Sequence, residues 1–169
     1  MAHQQYCSKA DLKTYLGLSG SGQDTNIDNA INGASRQIDG FCGRYFYQDE
    51  SVNARYYTPT NYVEIAVDDI STTTGLVVKT DTNDDGTHNE TLTLNTDFIL
   101  KPMNPDNIEV SDSDYKFPQN YIQIIPTRSS KRFDPLIINN IKVEAKFGFS
   151  AVPQAIKQAT LIQATRLFK

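Results

Sequence analysis

The chain has no tryptophan and only two cysteines, two methionines and two histidines among its 169 residues. Each shortage removes a class of explanation. Without Trp, aromatic burial must rest on nine Tyr and eight Phe. Cys7 and Cys42 make neither a disulfide framework nor a zinc-type spacing, so a reducing compartment is expected. No stretch approaches the roughly 18 apolar residues that a membrane helix needs. Residues 1–5 carry no basic start leading into an apolar run, so no secretory leader is expected and the chain is read as soluble and made in the cytoplasm. No glycine-rich phosphate loop ends in Lys-Ser or Lys-Thr, and the segment Gly17–Gly22 follows a helix, as a turn does. The two imidazoles are His3, at the terminus, and His88. No Ser or Cys stands in an elbow motif, so a nucleophilic hydrolase is not expected. Cys42 lies beside a helical apolar stripe and is expected to be a small core residue.

What is present is ordinary in amount and uneven in distribution. With 38% hydrophobic and 21% charged residues, the chain can build one domain with a core, or one domain with a sizeable insertion. The formal net charge is −4. Residues 64–114 hold twelve acidic and two basic side chains, whereas residues 126–169 hold eight basic and two acidic ones. Such asymmetry points to complementarity between subunits or modules, or to an acidic face kept away from nucleic acid; a solvated acidic surface is the plainer account. The one basic cluster is Arg128, Lys131 and Arg132, with Lys142 and Lys146. It has the charge to touch phosphates, but no interleaved aromatics of a base-stacking platform. A solvated loop or a contact with an acidic partner is the simpler explanation.

Periodicity sets the elements. Ser8 caps a first helix, with Asp11 in its first turn, Leu12, Tyr15 and Leu16 as its apolar edge and Gly17 as its stop. A second helix is capped by Asp24 or Asn26. Its stripe is Ile27, Ala30, Ile31, Ala34, Ile38 and Phe41, and Gly43 ends it. From Arg44 the chain turns β-rich. About seven short strands are expected, among them residues 52–57, 62–67, 76–80, 91–94, 98–100, 121–125 and 141–147. Residues 102–114 read as a polar, proline-interrupted loop. A last helix starts at Pro153 and carries small or apolar residues around most of its circumference. A monomer has little use for such a helix, but a subunit that packs against copies of itself does. The expected fold class is therefore α+β: an N-terminal helix pair and a C-terminal helix packed together, with a β-rich antiparallel insertion between them.

Asp81, Asn83 and Asp85 are spaced two apart with Gly86 sixth, as in a calcium loop. The twelfth position is Leu92 rather than a bidentate Glu, and the flanks look like strands. A polar hairpin tip around Asp85-Gly86 accounts for the pattern better. No metal or cofactor site is expected.

The order of parts resembles a family. The parts are the capped helix Ser8–Leu16, the Ala34–Phe46 sequence Ala-Ser-Arg-Gln-Ile-Asp-Gly-Phe-Cys-Gly-Arg-Tyr-Phe, and Arg55-Tyr-Tyr57. Then come the Asp-Gly hairpin, Asp97-Phe-Ile-Leu100, Phe147–Pro153, Ile156–Thr160 and Arg166-Leu-Phe168. Over nearly its whole length the chain is similar to the head–tail connector (head-completion adaptor) proteins of tailed bacteriophages. The resemblance implies a structural protein without catalysis. It implies a ring, commonly of twelve subunits, that sits beneath the portal protein in the virion neck and is assembled in the host cytoplasm. Such a ring extends the DNA channel without sequence-specific binding and presents a surface to the next neck or tail protein. No membrane is involved. Family members often continue past the final helix into a tail; with Lys169 last, the expectation is that this tail is absent or that another segment meets the portal.

On this basis residues 1–169 form one connector subunit, with helices in 1–43, the insertion in 44–150 and the last helix in 151–169. Core and oligomer-interface candidates are Ile27, Ile31, Ala34, Ile38, Ile156, Ala159, Ile162 and Leu167. Acidic candidates for a channel or partner face are Asp81, Asp84, Asp85 and Glu90, where negative charge would repel DNA and let it slide. Basic contact candidates are Arg128, Lys131 and Arg132. The alternatives are a β-rich binding module of a tail or baseplate, recognising carbohydrate or calcium, and an enzyme using loop carboxylates.

Overall fold

A computed structural model of the chain describes residues 4–104 and 117–168. The remainder of the expected 102–114 loop, with His3 and Lys169, lies outside the described residues. Three helices, α1 (Lys9–Leu16), α2 (Asp24–Cys42) and α3 (Gln154–Phe168), flank six strands. These are β1 (Asn53–Tyr57), β2 (Glu64–Thr80), β3 (Glu90–Leu92), β4 (Phe98–Lys101), β5 (Gln119–Ile124) and β6 (Ile141–Phe147). The fold class is α+β, with helices at both ends of the chain and an antiparallel sheet between them. Two compact units result. One takes in the residues up to Tyr47 and those from Ala151 onward; the other is Gln48–Ser150.

In the helical unit, the Ser8 side chain accepts from the Asp11 amide while the Asp11 carboxylate accepts from the Ser8 amide, a reciprocal cap. Gly17 and Gly43 end α1 and α2 in the left-handed conformation. Neither Asp24 nor Asn26 caps α2. The cap position is Gln23, without a side-chain bond, and Asp24 is already helical, where it pairs with Lys9 and Lys13. The core is Cys7, Leu12, Ile27, Ala30, Ile31, Ala34, Leu161 and Ala164. Tyr15 faces water, because the short α1 has one fully buried position, Leu12.

The α2 stripe holds as far as Ala34 and then turns. Ser35 and Asp39 are buried, Ile38 is half-buried, Cys42 is exposed, and Phe41 is 93% exposed. The cause is the N-terminal segment. Tyr6 lies against the Ser35–Asp39 side, its amide donating to Ser35 Oγ (3.2 Å) and its hydroxyl donating to Asp39. Hydrogen bonding makes that polar side fit to bury, and Phe41 and Cys42 are left outside.

In the β unit, the sheet order is β1-β6-β2-β5-β4, with β3 also paired to β2. The stretches expected as two strands, 62–67 and 76–80, belong to one strand of 17 residues, so the described residues hold six strands rather than about seven. β2 pairs with β5 through its first half, with β3 through its last residues and with β6 along most of its length. Register shifts between Ala66 and Val77 bend it from one set of neighbours to the next. Gly75 sits in this bent stretch at φ +79°, where a Cβ would stand 2.8 Å from the Val52 side chain. β6 alternates cleanly, with Ile141, Val143, Ala145 and Phe147 buried. With Phe98, Ile122, Ile124, Val78 and Phe133 they form the second core.

Ile31 is fully buried and Ile162 is half in water, so their truncations separate core from surface. Ile31→Ala is expected to cost about 2–5 kcal/mol in urea unfolding. Ile162→Ala is expected to stay within about 0.5 kcal/mol of wild type. Equal losses would show that the exposed face of α3 belongs to the subunit core.

Candidate functional site

The nine residues 81–89 join β2 to β3, whose last pair is Thr80 with Glu90. The Asp85-Gly86 pair is therefore not a two-residue hairpin turn but part of a longer loop built on Asp81. The Asp81 carboxylate accepts from the amides of Asn83 (3.0 Å) and Gly86 (2.8 Å), and Asp85 accepts from the Thr87 amide (2.7 Å). Burial pushes the Asp81 carboxyl up, but the amides of Asn83, Gly86, Asp85 and Asp84 outweigh it and leave it below the ordinary range. The alternate-acid spacing thus serves the loop's own backbone. Among the described residues, no three His, Cys, Asp or Glu side chains converge as metal ligands. Of the acidic candidates, Asp81 is buried and committed, Glu90 is half-buried beside Thr80, and Asp84 and Asp85 stand in water.

The basic candidates are also held by their neighbours. The Lys131 ammonium donates to Asp97 (2.9 Å) and to the Thr91 carbonyl (2.6 Å). Arg132 donates to the carbonyls of Ser129 and Lys131, and Arg128 reaches that of Asn95. Lys142 pairs with Glu144. Asp97 is the centre of this arrangement. It accepts from Ser129 Oγ (2.6 Å), Lys131 and the Thr93 amide, and the Ser129 hydroxyl first, then Lys131, bring its carboxyl down to about 2. Lys131 thus fastens the 125–133 segment to β3 and to Asp97, next to β4, while Arg128 and Arg132 remain exposed.

The eight helical candidates divide into three groups. Ile27, Ile31 and Ala34 are core, and Ile38 and Ile156 are half-buried. Ala159, Ile162 and Leu167 are exposed on α3. Leu167 rims a groove of about 740 Å³ between α2 and α3, floored by Ala30 and Gly33 and edged by the amides of Gln23, Asn29 and Gln37. Gly33 keeps the two helices close, since a Cβ there would meet Leu167 Cδ1 at 3.2 Å. In the β unit the apolar surface lies in the turn before β6. Leu136 is 83% and Ile138 79% exposed, while Ile137 between them is buried.

Sequence reasoning missed that turn, for which the run Leu136-Ile137-Ile138 beside Asn139-Asn140 was the available signal. It also missed the network around Tyr6. There the Tyr6 hydroxyl donates to Asp39 and accepts from the Phe46 amide (3.0 Å), and Arg36 pairs with Asp39 (3.0 Å) and donates to the Gln4 carbonyl. Burial and the Asp39 bond raise the Tyr6 phenol well above its usual value. Burial likewise pushes the Cys7 thiol up to about 11, so it is a thiol and not a thiolate at neutral pH.

The geometry provides surfaces: an amide-edged groove on the helices, a projecting apolar turn on the sheet, and an acidic loop beside it. No described helix is long and apolar enough to cross a membrane. No protein-family model matches this chain, and neither a curated protein nor a solved structure matches it.

Tyr6→Phe is expected to cost about 1–2 kcal/mol in urea unfolding, because Asp39 loses a buried donor. For Asp97 the folded pKa lies below the unfolded one, so its contribution is complete above the ordinary carboxylate range and is lost as pH falls toward about 2. Urea midpoints measured from pH 5 down to about pH 2 should therefore fall less steeply for Asp97→Asn than for wild type. Parallel curves would remove Asp97 from the account of acid stability.

Proposed function

We propose that the chain is a structural adaptor subunit of a phage neck. It assembles with its own copies into a ring, commonly of twelve, between the portal protein and the next neck or tail protein. The observation that carries this proposal is the helical unit. Helices from the two ends of the chain share one core, a β insertion separates them in sequence, and apolar side chains remain in water on both α2 and α3. Phe41, Ile162 and Leu167 cost a lone subunit solubility and provide packing area to a ring, where each subunit uses two different faces. The order of parts that resembles head–tail connectors runs through these same elements.

In this proposal the ring extends the DNA channel, and DNA passes without sequence-specific contact. Asp84 and Asp85, exposed at the tip of the 81–89 loop, are the residues available to repel phosphates. The chain works by assembly in the host cytoplasm and ends in the virion, with no cofactor, no catalysis and no membrane. Electron microscopy of the purified protein, alone and mixed with portal, tests it. Closed rings that stack coaxially on portal particles are expected. Single 18.9 kDa subunits in both preparations would overturn the proposal.

A further inference from the structure

The turn that carries Leu136 and Ile138 is held rigid from several sides. The Asn140 side chain donates to the Asp81 carbonyl (2.5 Å) and accepts from the Asp134 amide (3.0 Å). Asp134 in turn accepts from the Leu136 amide (2.9 Å), Thr58 Oγ1 accepts from the Asn139 amide (2.8 Å), and the His88 ring bonds the Asn139 carbonyl (2.9 Å). Loops usually keep such side chains polar. This one uses a buried asparagine to hold two branched aliphatic groups in water. An ordered apolar projection loses little entropy on docking, which is the character of an interface anchor. Ile138 also borders a depression of about 390 Å³ shared with Tyr56, Asp81 and Asp84, so the anchor stands at an acidic rim.

The two units carry opposite charge. The helical unit, taken over its full sequence, has seven Lys or Arg and four Asp or Glu, a net of +3. The β unit has nine basic and sixteen acidic residues, a net of −7. Contact between two β units therefore opposes like charges, and contact between a β unit and a neighbour's helical unit joins opposite ones. The helical unit offers the α2–α3 groove to an aliphatic anchor, with an apolar floor at Ala30 and Gly33, Leu167 on its rim and amides along its edge.

We propose that neighbouring copies join head to tail, the Leu136 and Ile138 turn of one copy seated in the α2–α3 groove of the next. The contact is heterologous, so it leaves one turn and one groove free at every stage and propagates until a ring closes. The pairing deepens the ring proposal and rests on it.

Single-face variants test the pairing. Leu136→Asp with Ile138→Asp disables the turn; Asn29→Asp with Leu167→Glu disables the groove. All four positions are exposed in the subunit, so the wild-type circular dichroism melt is expected to persist. By analytical ultracentrifugation, wild type should assemble, and each variant alone should remain a single chain, with association weakened by about tenfold or more. Mixed together, the two variants should form a two-chain species and nothing larger, since one intact turn meets one intact groove. Assembly of wild type should also weaken as salt is raised. The wild-type salt titration stands as a second measurement should either variant fail to fold. If wild type assembles and the turn variant assembles equally well, the pairing is wrong while the ring stands. The pairing is equally wrong if the mixture stays monomeric or if salt strengthens assembly. If wild type is a single chain at every concentration, both proposals fall.

Discussion

The packing of α3 against α2 is the constraint on which the rest depends. It brings the two ends of the chain into one core, through Ile27, Ile31 and Ala34 on one side and Leu161 and Ala164 on the other. Small residues make this possible, because Gly33 and Ala34 let the helices approach closely and leave Leu167 lying over the gap. With both ends tied together, residues 48–150 need only form their own core and return. They do so as an antiparallel sheet whose main pairings, β1 with β6, β2 with β5 and β2 with β6, join strands far apart in sequence.

The sheet solves a different problem. Its central strand has to serve neighbours on changing sides, and β2 does so by bending through register shifts around Gly75. The surrounding polar residues then act as fasteners. Asp81 gathers the amides of its own loop, Asp97 gathers Ser129, Thr93 and Lys131, and Asn140 ties the 134–140 turn to the 81–89 loop at Asp81. Buried polar groups of this kind are stable only when fully paired. Asp81 and Lys131, which looked available to partners, are engaged this way, whereas the aliphatic side chains of Leu136, Ile138, Ile162 and Leu167 stand exposed.

Much of the fold was legible in the residues because its signals are local. The Ser8–Asp11 box, Gly17, Gly43 and the 3.6-residue stripe from Ile27 to Ala34 each depend on neighbours within a few positions. The Tyr62–Val67 and Leu76–Thr80 segments were recognisable as strands, yet the residues between them, Asp68 to Gly75, look like a connection. Only pairing with β6 reveals them as part of one strand. The surfaces were legible in part. Ile162 and Leu167 stood out on a helix that is apolar nearly all round, whereas the Leu136–Ile138 turn carried no periodicity to mark it.

The sequence by itself determined where α1 begins, where α1 and α2 end, which residues alternate along β6, that helices lie on either side of a β-rich middle, and how charge divides along the chain. Those properties follow from backbone preferences and hydrophobic periods, which act over a few residues. Only the tertiary structure decided which polar groups are buried. Ser35 and Asp39 look like the solvent side of α2 until Tyr6, some thirty positions away, supplies their partners. Lys131 looks like a free cation until Asp97 reaches it. Burial of a polar group is permitted by its partner and not by its own chemistry, and the partners are brought together by the fold.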